Sequence, residues 1–193
     1  SNGKNQCAAG GFTEIGGTTA TNLSFVRCTV RNASSNYGMV VGVGSVFDPR
    51  MTGDNNIVIR DCDVRNLLAN NVAFSANALH GPSVATGYTF YQAANSTVSG
   101  SYVDNVRAVS ANCTAYGIHL FANVANPTTN YIQLLNNRVT GCQTAGIQND
   151  TTGVAANSHT YESNYAALNG TGSGGNYVNP PVGTQFIDWQ VGS

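Results

Sequence analysis

The sequence is short of charge. Only 9% of its residues are Asp, Glu, Lys or Arg, against about 25% in ordinary globular domains. Solubility must therefore come from Asn, Ser, Thr and Gly, which suits a surface facing salt or sugars better than a cytosolic enzyme surface. A net charge of −1 and the lack of any Lys/Arg run argue against a nucleic-acid partner and an anionic membrane, since phosphate neutralisation needs clustered cations. No stretch approaches the roughly 20 apolar residues of a membrane span, so no membrane insertion is expected. The opening SNGKNQCAAGG has neither an initiator Met nor a signal-peptide layout, as expected of a processed product or a piece of something longer.

Five cysteines (Cys7, Cys28, Cys62, Cys113, Cys142) form an odd set with no CxxC spacing, so neither a zinc site nor a complete disulfide framework is implied. His80, His119 and His159 share no repeat position, and no metal or cofactor is expected. Sequons at Asn22, Asn32, Asn95, Asn112, Asn149 and Asn169 carry little weight in a chain so rich in Asn, Ser and Thr.

What is present is a repeat. The 193 residues, 41% hydrophobic, are expected to form a single domain with a real core. A twelve-residue window recurs five times without a gap: LSFVRCTVRNAS from Leu23, IVIRDCDVRNLL from Ile57, STVSGSYVDNVR from Ser96, IQLLNNRVTGCQ from Ile132 and HTYESNYAALNG from His159. Superposed, the windows align Phe25, Ile59, Val98, Leu134 and Tyr161 in one column, and Val30, Val64, Val103, Val139 and Ala166 in another. Cys28, Cys62, Ser101, Asn137 and Asn164 form a third. The apolar columns alternate with period two, a strand signature, and the two-residue step between the Phe25 and Cys28 columns predicts a bend. Asn32, Asn66 and Asn105 end their windows, where a residue tolerant of the left-handed region helps the chain turn. Cys28 and Cys62 are expected as stacked inward thiols and not as a required disulfide, because parallel side-chain vectors strain the torsion.

A third strand is predicted after each window, from Gly38-Met39-Val40-Val41, Gly87-Tyr88-Thr89-Phe90, Gly117-Ile118-His119-Leu120 and Gly146-Ile147-Gln148-Asn149, with Gly11-Phe12-Thr13-Glu14 ahead of the first. The Val30 column is spaced by 34, 39, 36 and 27 residues, as coils of twenty-odd residues with insertions would be. Insertions at 43–54, 67–86, 106–116 and 122–129 should emerge side by side and build a groove. The predicted fold is all-β: a right-handed parallel β-helix of about five coils. Its repeat coils cover 21–170, with an N-terminal partial coil or cap at 1–20 and a C-terminal cap at 171–193. Pro180 and Pro181 are expected to resist further pairing. No 3.6-residue stripe persists, which removes a helical fold, and in-phase windows with fixed insertion points favour the solenoid over a β-sandwich.

Over roughly residues 11 to 170 these columns resemble the pectin-lyase-like, right-handed parallel β-helix superfamily. That resemblance implies a family range that includes polysaccharide lyases, polygalacturonases, phage tailspikes, surface adhesins and carbohydrate-binding repeat proteins, and fold alone does not choose among them. The polygalacturonase pattern cannot be mapped: no adjacent Asp pair, Gly-His-Gly or Arg-Ile-Lys exists. A pectate-lyase-like calcium cluster is not recognisable either.

Residues between inward columns should point outward: Arg27, Thr29 and Arg31; Asp61, Asp63 and Arg65; Gly100, Tyr102 and Asp104; Asn136, Arg138 and Thr140; Ser163, Tyr165 and Ala167. Seven of the seventeen charged residues lie in these rows, which marks a face. Asp63 and Asp104, offset by two on adjacent rungs, should have Cβ atoms about 7 to 8 Å apart, within the roughly 6.5 to 9.5 Å window of inverting glycosidases. An ion-pair lattice of Arg31, Asp63, Arg65 and Asp104 accounts for the same residues. Tyr102 and Tyr165 flanking Arg138 suit sugar stacking. His119, outward in the column Thr13, Val40, Thr89, His119, Gln148, is read first as solvated, while His80 is expected in a loop and His159 in the core.

The expected function is a secreted or particle-surface module, extracellular or on a cell or virion surface, that binds glycan or polysaccharide or forms part of a surface fibre. Its expected contacts are Arg65, Tyr102, His119, Arg138 and Tyr165. A homo-oligomer, trimers included, is compatible with this reading. Catalysis is not assigned. The alternatives are a polysaccharide-cleaving hydrolase or lyase using Asp61, Asp63 and Asp104, and a purely structural assembly or virion component.

Overall fold

The computed structural model describes residues 9–16, 20–35, 39–47, 54–70, 84–91, 93–109, 113–121, 129–151, 158–170, 175–181 and 186–190. Cys7, His80, Asn112 and the middles of the insertions lie outside the described residues. The strands, in chain order, are β1 (Ala9–Gly16), β2 (Ser24–Val26), β3 (Thr29–Ser35), β4 (Met39–Phe47), β5 (Asp54–Asn55), β6 (Val58–Arg60), β7 (Asp63–Ala69), β8 (Val84–Tyr91), β9 (Ala93–Ala94), β10 (Thr97–Ser99), β11 (Tyr102–Ala108), β12 (Thr114–Phe121), β13 (Gln133–Leu135), β14 (Arg138–Thr140), β15 (Ala145–Asp150), β16 (Thr160–Ala167), β17 (Gly175–Val178) and β18 (Phe186–Gln190). There is no helix among the described residues.

The protein is all-β, and the pairing within its sheets is parallel. One sheet runs β1-β4-β8-β12-β15-β17. A second contains two ladders, β2-β6-β10-β13 and β3-β7-β11-β14, that meet on β16, and β5 and β9 make a small third sheet. Each predicted window pairs with its neighbour in the predicted register. Val30, Val64, Val103, Val139 and Ala166 stand opposite one another, as do Phe25, Ile59, Val98, Leu134 and Tyr161. All but Phe25 are buried, and Phe25 on the outermost rung of its ladder is half-buried.

The bend between β2 and β3 and its equivalents is made by one left-handed residue per rung: Arg27, Asp61, Gly100, Asn136 and Ser163, with φ between 54° and 58°. A second such column is Asn32, Asn66, Asn105, Gly141 and Leu168, and a third, unforeseen in the sequence, is Asn22, Asn56, Asn95 and Tyr131. Asn dominates because its short polar side chain tolerates this region. On the surface the amides also bond along the stack, Asn105 Nδ2 donating to Asn66 Oδ1 at 2.7 Å and Asn66 Nδ2 to Asn32 Oδ1 at 2.9 Å.

Just past the first bend, each backbone N–H faces the side chain of the next rung and not a carbonyl. Cys28 N donates to Cys62 Sγ at 3.4 Å, Cys62 N to Ser101 Oγ at 3.1 Å, Ser101 N to Asn137 Oδ1 at 3.0 Å and Asn137 N to Asn164 Oδ1 at 3.0 Å. The third column is therefore a run of acceptors that satisfies buried donors. It also explains Cys62, and Cys28 and Cys62 are both free thiols, as expected. Burial pushes the thiol of Cys62 up and that of Cys142 up to about 12, which makes both poor nucleophiles.

The structure corrects three expectations. First, the glycine aligned with Gly87 is Gly42, not Gly38, since Val41 pairs with Thr86 and Val43 with Tyr88. A Cβ on Gly42 would lie 2.5 Å from both Gly87 O and Val64 Cγ1, and one on Gly117 would lie 2.3 Å from Val139 Cγ1. This column is glycine because the two sheets close on each other there. Gly44, and not Val40, consequently shares the row of Thr89 and His119. Second, the strands run further than predicted, taking Val43–Phe47, Leu67–Ala69, Val84–Thr86, Val106–Ala108 and Thr114–Tyr116 out of the insertions. Third, the prolines do not stop pairing: β17 before them pairs with β15, and β18 after them with β16.

Candidate functional site

The face expected from the outward rows exists in part. Tyr102 stands opposite Asp63 and Arg138, Asp104 opposite Arg65 and Thr140, and Arg138 opposite Tyr165. Asp61 occupies the bend, exposed, with Arg60 Nε 3.7 Å from its carboxylate. Thr140 and Ala167, expected outward, are buried. Thr140 Oγ1 donates to Asp104 Oδ1 at 2.7 Å and lies 3.3 Å from Tyr102 Oη.

The carboxylates of Asp63 and Asp104 on this face are already engaged by their neighbours. Arg31 reaches Asp63 Oδ2 at 2.5 Å and Arg65 Nε reaches Oδ1 at 2.6 Å. Burial raises the Asp63 carboxyl, but the hydrogen bonds and charges of Arg65 and Arg31 outweigh it and hold the group below the usual carboxylate range. A carboxylate kept ionised with both oxygens occupied is a poor general acid. The aromatic faces are covered in the same way. The guanidinium of Arg65 sits 4.5 Å from the centre of the Tyr102 ring, and that of Arg138 lies 5.9 Å from Tyr102 and 4.9 Å from Tyr165. Arg65, Tyr102, Arg138 and Tyr165 thus form an alternating cation–aromatic stack along the rungs.

His119 belongs elsewhere. It lies on β12 in the other sheet, and it is not solvated: the residue is 8% exposed. Its Nε2 is 2.8 Å from Asp150 Oδ2, and Gln148 Nε2 donates to Asp150 Oδ1 at 2.5 Å. Burial raises the Asp150 carboxyl, but the hydrogen bonds from His119 and Gln148 prevail and keep it low. Because the carboxylate is ionised, the facing Nε2 carries the proton. His119 Nδ1 is then a buried nitrogen with no partner among the described residues.

Around this pair is a pocket of about 310 Å³ on the outer face of the β4-β8-β12-β15 sheet, the lower end of the size range of small-ligand sites. Strand register builds it. Met39, Val84 and Thr114 stand opposite one another at the strand starts, Thr89 and His119 share a middle row, and Tyr91, Phe121 and Asp150 share the last. Tyr116 completes the wall, its ring 4.5 Å from that of His119, while Tyr91 and Phe121 are 4.8 Å apart. Phe121 is 37% exposed, a large apolar ring open to an arriving ligand.

Sequence reasoning singled out His119 but missed Tyr116 and Asp150. Both were accessible in principle, since Tyr116 lies three residues before His119 and Asp150 two after its in-register partner Gln148. Among the described residues no group of three or more His, Cys, Asp or Glu is arranged to hold a metal ion. Comparison with protein-family models, curated proteins and solved structures returns no match, so geometry alone carries the assignment of this site.

Proposed function

We propose that the chain is a right-handed parallel β-helix of about five coils, working as an extracellular or particle-surface module that binds glycan in the His119–Asp150 pocket. In-register parallel pairing at offsets of 34, 39, 36 and 27 residues supports the helix, and the right hand follows from the strong chirality of parallel crossovers. The observation that carries the binding reading is the pocket's make-up: rings from Tyr91, Tyr116 and Phe121 beside an ionised carboxylate with oxygens partly open. Aromatic faces pack on the C–H side of a pyranose while a carboxylate accepts its hydroxyls.

Binding moves from the Tyr102 face, whose rings guanidinium groups already cover, to the opposite sheet. A polysaccharide-cleaving activity at Asp63 and Asp104 loses ground for the same reason, since Asp63 is locked by two arginines.

A glycan array followed by incubation of each hit tests the reading. Phe121→Ala and Tyr116→Ala should each weaken binding by roughly 1 kcal/mol or more through lost ring contact, while Tyr102→Ala leaves it unchanged, and no hit should be cleaved. Loss of binding in Tyr102→Ala with Phe121→Ala unaffected would return the site to the other face.

A further inference from the structure

The charge of the pocket narrows its ligand. We infer that the His119–Asp150 pocket takes a sugar unit carrying a free ammonium group, an amino sugar with neither an N-acetyl nor an acidic substituent there; this rests on the glycan reading above.

Of the two titratable partners, Asp150 is the one that presents acceptors to the ligand. Asp150 is ionised, and each of its oxygens receives one hydrogen bond, from His119 and from Gln148. A carboxylate has about four acceptor sites, so lone pairs remain on a side chain that is 33% exposed. His119 adds no free donor: its Nε2 proton is committed to Asp150, and its Nδ1 is buried. Among the described residues lining the pocket there is no Lys or Arg; Arg65 and Arg138 sit on the other sheet.

A ligand that covers the pocket strips water from this carboxylate, a cost that an incoming positive charge offsets best. The rings act in the same direction, because their negative faces attract a cation. Tyr91, Phe121 and Tyr116 line the same pocket as the carboxylate, and Phe121 stands opposite Asp150 on the next strand, so an ammonium held by Asp150 has aromatic surface beside it. A uronate or sulfate would meet like charge with no Lys or Arg among the described lining residues to offset it.

Titration calorimetry at low salt on the full chain tests this with four probes: a β-1,4-linked glucosamine tetramer, its N-acetylated counterpart, a galacturonate tetramer and tetramethylammonium. The glucosamine tetramer should bind at least tenfold more tightly than the N-acetylated one, and the galacturonate tetramer should not bind. Asp150→Asn should remove the preference and Phe121→Ala should weaken the glucosamine tetramer about tenfold. The comparison between ligands needs no variant, so it stands even if Asp150→Asn fails to fold. Equal or tighter binding of the N-acetylated or galacturonate tetramer overturns the amine inference and leaves the glycan reading in place. Binding of tetramethylammonium alone overturns the glycan reading, and with it the amino sugar. No binding of any probe overturns both.

Discussion

Asn137 and Asn164 are joined twice: the backbone N–H and the side-chain Nδ2 of Asn137 both donate to Asn164 Oδ1, at 3.0 and 2.9 Å. Asn137 in turn accepts from Ser101 N and donates to Val98 O at 2.9 Å. It therefore satisfies backbone groups on its neighbour's rung while its own are satisfied by the next, and no water reaches any of them.

Asn137→Ala should lower unfolding stability by about 3 kcal/mol, because it strands a buried N–H and a buried C=O at roughly 1 to 3 kcal/mol each. Asn66, in the exposed amide run, is a contrast. Asn66→Ala should cost only about 1 kcal/mol, mostly the left-handed backbone, and Asn66→Gly less still. Urea midpoints of the three variants give the comparison, and equal losses for Asn137→Ala and Asn66→Ala would refute the acceptor-column account.

Gly117→Ala should cost about 3 kcal/mol or more through overpacking, since its Cβ would sit 2.3 Å from Val139 Cγ1 and 2.5 Å from Gly146 O. Gly175→Ala meets nothing within 4 Å and differs only in its φ of 97°, so about 1 kcal/mol of backbone strain is expected. Thermal melts separate the crowded position from the merely strained one.

His159 makes the protein acid-sensitive. It is fully buried, accepts from Ile132 N at 3.2 Å through Nδ1 and lies 3.0 Å from Thr151 Oγ1 through Nε2. Burial lowers its pKa to about 4, below the roughly 6.5 of an unfolded histidine. Between these values the unfolded chain binds the extra proton, so stability is complete above about pH 6.5 and declines as pH falls towards 4. The loss should reach the order of 3 kcal/mol. His159→Asn, which keeps an acceptor for Ile132 N, should flatten this window in urea titrations at stepped pH; an unchanged slope would show that another group titrates.

The cation–aromatic face should prove structural. Asp63→Asn is expected to leave glycan affinity within twofold and to lower stability modestly, with the difference shrinking in high salt because Arg31 and Arg65 are substantially exposed. The depressed Asp63 carboxyl stabilises above the ordinary carboxylate range, and that contribution is lost as pH falls through its lowered value. Parallel melts and binding titrations of Asp63→Asn at low and high salt check both halves.

The columns were legible from sequence because inward and outward alternation is local. Val30, Val64, Val103, Val139 and Ala166 needed only period two and a constant phase to be aligned, and the bend at Arg27 and Asp61 followed from a two-residue break in that phase. The same logic found the Asp63–Arg65–Tyr102 neighbourhood, since it lies on in-phase windows. It failed at Gly42, where GVG repeats glycine within three residues and only the approach of Val64 and Gly87 selects the register. It failed most at the pocket. The exposure of His119 depends on Asp150, 31 residues along the chain and diagonal across a rung, and on the rings of Tyr116 and Phe121 that flank it on β12. Periodicity says which way a side chain points; whether it meets water there depends on what the neighbouring strands bring alongside, and only the stacked sheet determines that.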